Sequence, residues 1–126
     1  MIKEFNSEMF LLALSGSKWV KIATQMGIKV AKETFADRTL SEDGSLVPRS
    51  IKGSVLHDVD DVVQNGLRIA TEGKALLHNG NTIAVETDSI CIHGDTPGAV
   101  KMAKILRNAI ESKGFNIQPL SRIINT

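Results

Sequence analysis

The chain has 126 residues, of which 42% are hydrophobic and 23% charged, and fifteen basic residues against fourteen acidic ones leave a formal net charge of +1. Such values exclude a largely disordered chain and a strong field for nucleic acid or anionic membrane. An aromatic content of 4% without tyrosine speaks against a base-stacking platform, and a lone cysteine excludes an intrachain disulfide or a cysteine-rich zinc site.

Met9 to Leu14 is an unbroken apolar run that stops at Ser15-Gly16-Ser17. Its shortness predicts a strand buried on both faces. Trp19, Val20, Ile22, Ala23 and Met26 then recur at helical spacing, with Ser15 or Ser17 as cap and Gly27 as stop. Ile28 to Phe35 reads as a second strand, so strand, helix and strand make a βαβ unit with parallel strands. The stretch from Ala36 to Leu56 is irregular and long enough to suggest a functional loop. Asp58 opens a helix that ends near Gly73. Ala75-Leu76-Leu77 and Ile83-Ala84-Val85 flank Asn79-Gly80 and predict a β-hairpin. Ser89 to Ile92 is a short buried strand. Pro97 suits the first position of the last helix, with Asp95 or Thr96 as cap, and that helix stops at Gly114. One more strand is expected from Phe115, with fraying beyond Pro119.

Three predicted parallel strands thus end in Ser15-Gly16-Ser17, Asp37-Arg38 and His93-Gly94-Asp95. Ligands of α/β sheets bind outside the carboxyl ends of the strands, so these groups belong on one rim. The mixture of carboxylates, imidazole, guanidinium and hydroxyls suits a small polar or anionic ligand. His93 is the sharpest candidate because Asp95 stands beside it. Asp37-Arg38 reads equally as a structural ion pair that pins the loop. Arg49, in Pro48-Arg49-Ser50, is the right type to clamp a carboxylate or phosphate, and equally an ordinary solvated arginine. Cys91 reads as a small buried hydrophobe, and His57 and His78 as water-facing. No zinc-type spacing, P-loop or nucleophile elbow occurs.

Phe35-Ala36-Asp37-Arg38, Asp43-Gly44-Ser45-Leu46-Val47-Pro48-Arg49-Ser50 and Ile90-Cys91-Ile92-His93-Gly94-Asp95-Thr96-Pro97-Gly98-Ala99 resemble the C-terminal half of the LamB/YcsF family, whose members include the A subunit of 5-oxoprolinase. The resemblance runs from about Met9 to Gly114, and Met1 to Asn6 looks like the end of a preceding helix. It implies an α/β fold that is half of a distorted (β/α) barrel of the polysaccharide-deacetylase type, with a small hairpin. It implies ATP-dependent opening of 5-oxoproline to glutamate, with subunits B and C as partners and ATP from the whole complex. It implies that Asp37, Arg38, Arg49, His93 and Asp95 line the pocket, and it assigns no catalytic step to any of them. Together with the rim reading, Asp37, His93 and Asp95 are the catalytic candidates, and Arg38, Arg49, Ser50, Ser15 and Ser17 the substrate-binding ones, with no metal ligand assigned. A complete member is roughly twice as long, as one barrel requires. The Asp-Leu-Asn, Gly-Phe-His-Ala-Gly-Asp, His-Pro-Ser and Lys-Pro-His-Gly segments of its first half do not occur here, and Leu40 stands where the family usually has Tyr.

The expectation is therefore one cytoplasmic domain over residues 1–126, partly frayed over 115–126, that needs a complementary N-terminal half or self-association. The alternative is a noncatalytic binding or assembly domain that keeps the fold without the chemistry. A deacetylase-like hydrolase is a third reading, drawn from the barrel type alone.

Overall fold

A computed structural model describes residues 9–95 and 97–124. The expected helix end over Met1–Asn6 and the Thr96 cap lie outside the described residues. β1 (Phe10–Leu14), β2 (Lys29–Phe35) and β5 (Ser89–Cys91) form one parallel sheet in the order β1-β2-β5. Between the first two strands runs α1 (Lys18–Gln25), so the βαβ unit is present. β3 (Lys74–Leu76) and β4 (Thr82–Ala84) pair antiparallel as a separate hairpin, with Gly80 at φ 92° in its loop. No helix among the described residues is long and apolar enough to cross a membrane.

Three local expectations are corrected. β1 is not covered on both faces: it is an edge of the described sheet, and Leu12 is 43% exposed. Pro97 does not begin the last helix, α3, which spans Ala99–Ser112. Gly98 at φ 80° is its N-cap, and that left-handed turn keeps Pro97 out of the helix and leaves the Asp95 carboxylate without a capping role. No strand follows Phe115 among the described residues. Instead Leu120–Ile124 forms a short helix, α4, whose first turn is closed by the Arg122 N–H on the Pro119 carbonyl at 2.9 Å. Proline favours a first helical turn and cannot extend a strand ladder through its nitrogen, which explains the exchange.

The core lies under α2 (Val59–Glu72) and α3. Asp58 caps α2 by accepting the N–H groups of Asp60 and Asp61, and Gly73 at φ 66° ends it. Val62, Met102, Leu106 and Ile110 form one buried cluster with Ala36. Ile69, Ala75 and Leu77 form a second with Leu40. The segment between Ala36 and Leu40 is therefore held at both ends by apolar packing.

The long loop is more ordered than its composition suggests. Arg38 bridges Val55 and Leu40 bridges Leu46, both antiparallel, and Leu40 also bridges Leu77 in parallel. The Leu56 N–H reaches the Asp37 carbonyl at 2.8 Å, and the Thr39 N–H reaches the Ser54 carbonyl at 3.0 Å. The buried stretch from Ala36 to Leu40 must satisfy its backbone inside the protein, and it does.

α2 and α3 approach closely at Gly66. A β-carbon there would stand 2.6 Å from Leu106 Cδ2 and 3.2 Å from the β-carbon of Ala36. Gly66→Val should therefore lower the unfolding free energy by about 1–3 kcal/mol through overpacking, despite the better backbone propensity of valine. Urea unfolding of the two proteins checks this; an unchanged midpoint would mean that the helices part without cost.

Candidate functional site

Asp37 follows the carboxyl end of β2, and His93 follows that of β5. These strands are hydrogen-bonded neighbours, with Phe35 opposite Cys91, so the two residues emerge side by side. The Asp37 side chain is fully buried and that of His93 is 24% exposed. Asp37 Oδ2 accepts the His93 backbone N–H at 2.9 Å, and both carboxylate oxygens lie 3.0 Å from His93 Nδ1. A carboxylate only accepts, so Nδ1–H donates to it, and in the neutral ring Nε2 is then the nitrogen with the lone pair. The imidazole also stacks on Phe35, with ring centroids 5.3 Å apart and planes 10° from parallel. Two hydrogen bonds and one stacked face thus fix a histidine whose other nitrogen is available for proton transfer.

Arg38 and Asp37 part ways despite their adjacency. Arg38 is 7% exposed, and its Nη2 donates to the Val47 carbonyl at 2.7 Å. Burial and the charge of Arg49 hold its guanidinium below the ordinary arginine range, with Asp37 opposing. Arg49 Nη1 lies 3.7 Å from Asp95 Oδ2, and both side chains are exposed. The structure therefore pairs Asp37 with His93 and Arg49 with Asp95, and sets Arg38 within electrostatic reach of Asp37 and Arg49. Ser50 sits exposed in a turn closed by the Ile51 N–H on the Pro48 carbonyl.

The two serines after β1 occupy other surroundings. Ser15 lines a cleft of about 400 Å³ with Lys32, Asp43 and Glu86, in which Lys32 and Glu86 are paired. Ser17 has the extended backbone of an N-cap, yet its hydroxyl makes no capping bond and is buried without a partner among the described residues. A more apolar cleft of about 590 Å³ lies between β5, α3 and the tail, lined by Ile90, Ile92, Phe115 and Ile117, and it does not include the Asp37–His93 pair. Among the described residues no three His, Cys, Asp or Glu side chains are grouped to hold a metal ion.

One residue of the site's support is invisible to motif reading. Asn65 on α2 is 1% exposed. Its Nδ2 donates to the Ala36 carbonyl at 3.0 Å, and its Oδ1 accepts the Leu76 N–H at 3.0 Å. It thereby ties the peptide just before Asp37 to the hairpin. Its only sequence signal is an amide in the buried stripe of α2, between Val62 and Ile69. Cys91 is half-buried, and burial, then Glu33 and Asp37, push its thiol above the usual range. His57 is exposed; His78 is exposed too, but its Nδ1 lies 3.4 Å from Thr39 Oγ1.

The sequence pattern of the LamB/YcsF family matches residues 1–125. The chain belongs to the LamB/YcsF family. It is 37% identical over 98% of its length to the 5-oxoprolinase A subunit of Pyrococcus furiosus, covering 48% of that protein. With the protein of the same name from Paracidovorax citrulli it shares 39% identity over 95% of its length, again covering 48%. The chain thus spans about half the length of these relatives. Its structure is similar to the lactam utilization protein from Thermus thermophilus, with a TM-score of 0.84 and 32% identity over 93% of this chain and 46% of the other. An α/β fold built on a parallel sheet is common ground for this LamB/YcsF member and that neighbour.

Two outcomes follow from the site's geometry. In Asp37→Asn the amide presents a donor as well as an acceptor, so the Nδ1 tautomer loses its reason. Nitrogen-15 shifts of the His93 ring should show the proton on Nδ1 in the unaltered protein and a substantial Nε2–H population in the variant. Cys91 should react with a disulfide reagent at about pH 8 more slowly than free cysteine, because thiolate is the reactive form and burial disfavours it; an equal rate would contradict this.

Proposed function

We propose that this chain supplies one side of an active site that opens the cyclic amide of 5-oxoproline to glutamate at the expense of ATP. The observation that carries the reading is the Asp37–His93 pair at the rim of the parallel sheet, in a chain whose relatives bear the name of the 5-oxoprolinase A subunit. In this reading His93 Nε2 takes a proton from the attacking water, and Asp37 stabilises the imidazolium. Water oxygen bonds to the ring carbonyl carbon, the ring C–N bond breaks, and the proton passes to the departing nitrogen. Asp95 stands two residues beyond His93 and faces Arg49, and Arg38 directly follows Asp37.

ATP, when bound, supplies the driving force for cleaving an unstrained amide. The described cleft nearest the end of β1 does not fit a triphosphate. The polar cleft beside Ser15 holds the carboxylates of Asp43 and Glu86, and the cation lining it, Lys32, is already paired. The nucleotide belongs, in this proposal, to the rest of the assembly.

The assembly would comprise subunits B and C and the remainder of the family's length. The half-length match supports this, as do apolar side chains left open beside β1: Leu12 on the strand, and Trp19 and Ile22 on α1. Such an edge and face favour covering by more chain. The three-stranded parallel sheet would then be part of a distorted (β/α) barrel of the polysaccharide-deacetylase type.

Glutamate release tests the reading. The chain alone should release none from 5-oxoproline and ATP. Co-expression with the first half of a full-length relative and with subunits B and C should restore turnover. His93→Ala in that assembly should lower kcat by roughly 10²–10⁴-fold, the range of a lost general base, with circular dichroism unchanged. Unchanged turnover would make the Asp37–His93 pair structural, the outcome expected of a binding or assembly domain.

A further inference from the structure

The segments of the site close on themselves. Asp37 meets His93, and Arg38 beside Asp37 donates to the carbonyl of Val47. Arg49, two residues after Val47, faces Asp95, which stands two residues after His93. Two guanidiniums and two carboxylates therefore stand on the segments that follow β2 and β5, with Arg38 within electrostatic reach of both Arg49 and Asp37, and they differ sharply in commitment.

Asp37 is fully buried and bound twice by His93. Arg38 is buried and fixed by Nη2, while its Nε–H is buried without a partner among the described residues. A buried cation with a donor left over is under-compensated, and a nearby anion relieves it. Arg49 is the opposite case. Its side chain is 50% exposed and that of Asp95 is 74% exposed. Their separation of 3.7 Å is longer than a hydrogen bond. An exposed pair of this kind holds its partners weakly, so a free carboxylate competes with Asp95 on nearly even terms.

We propose that Arg49 is the carboxylate-binding residue of this site: as ligand enters, its guanidinium leaves Asp95 and takes the ligand's carboxylate in a bidentate pair, beside His93 and in front of the fixed charge of Arg38. The proposal rests on the ring-opening reading and adds a specificity to it. The substrate class is a lactam that bears a carboxylate next to the ring, and Asp95 is the internal competitor that the substrate displaces. Guanidinium suits this exchange because its planar fork matches a carboxylate and its charge persists at any working pH.

The test is a nuclear magnetic resonance titration of the nitrogen-15-labelled full chain with acetate, with 5-oxoproline and with 2-pyrrolidinone, the same ring without a carboxylate. Acetate and 5-oxoproline should shift the Arg49 Nε–H and His93 signals saturably, and 2-pyrrolidinone should leave Arg49 unmoved. Arg49→Gln should weaken both carboxylates by roughly tenfold or more, the loss of a charge-assisted pair. Asp95→Asn should tighten both, because the competitor is gone. Both substitutions lie on the surface and leave the core intact.

Acetate affinity unchanged in Arg49→Gln, or loosened in Asp95→Asn, would overturn the proposal, as would no binding of either carboxylate. The two readings fail separately. Acetate held through Arg49, with 5-oxoproline bound no more tightly than acetate, keeps the carboxylate assignment and counts against the lactam. Binding of 5-oxoproline equally by the unaltered protein and Arg49→Gln keeps the lactam and removes Arg49.

Discussion

Asp37 is a carboxylate shielded from water, and the rest of the site depends on how that burial is compensated. Its two oxygens take the backbone N–H and the ring Nδ1 of a single residue, His93. A buried carboxylate without such donors would cost several kcal/mol, so the pairing is a structural necessity as well as a chemical device. It joins the ends of two adjacent strands and orients the imidazole in the same act. The join between the two strand ends and the orientation of the imidazole therefore rest on one contact.

The backbone around Asp37 is held with equal care. Ala36 packs into the cluster between α2 and α3, and Leu40 packs into the one beneath the hairpin. Asn65 fixes the Ala36 carbonyl from α2 while also holding the hairpin. Gly66, the next residue, lets α3 come close enough for Leu106 to cover Ala36. One turn of α2 thus supplies both the polar tether and the steric allowance that position the site. Buried side-chain amides that satisfy two backbone groups are costly to replace, because either orphaned group loses its partner in a place that water does not reach.

The charged groups of the site are graded from buried to exposed. Asp37 and Arg38 are interior and fixed, His93 is partly open, and Arg49 and Asp95 stand in water. Such a gradient separates preorganisation from exchange. Interior groups are held in one geometry, and the exterior pair is weak because solvent screens it.

Local patterns in the sequence determined a good part of this protein. The βαβ unit, the Asp58 cap, the Gly73 stop and the hairpin at Asn79-Gly80 all follow from short-range periodicity and turn chemistry, which act within a few residues. The juxtaposition of Asp37 and His93 was legible as well, since parallel strands send their carboxyl ends to one rim. Tertiary structure alone decided the rest. Position in the sheet, not hydrophobicity, made β1 an edge with Leu12 open. A left-handed Gly98 displaced Pro97 from the helix start and freed Asp95 to face Arg49, a residue 46 positions earlier in the chain. Asn65 gave no local sign of its role, because a buried amide acquires meaning only from the two backbone groups that folding brings to it.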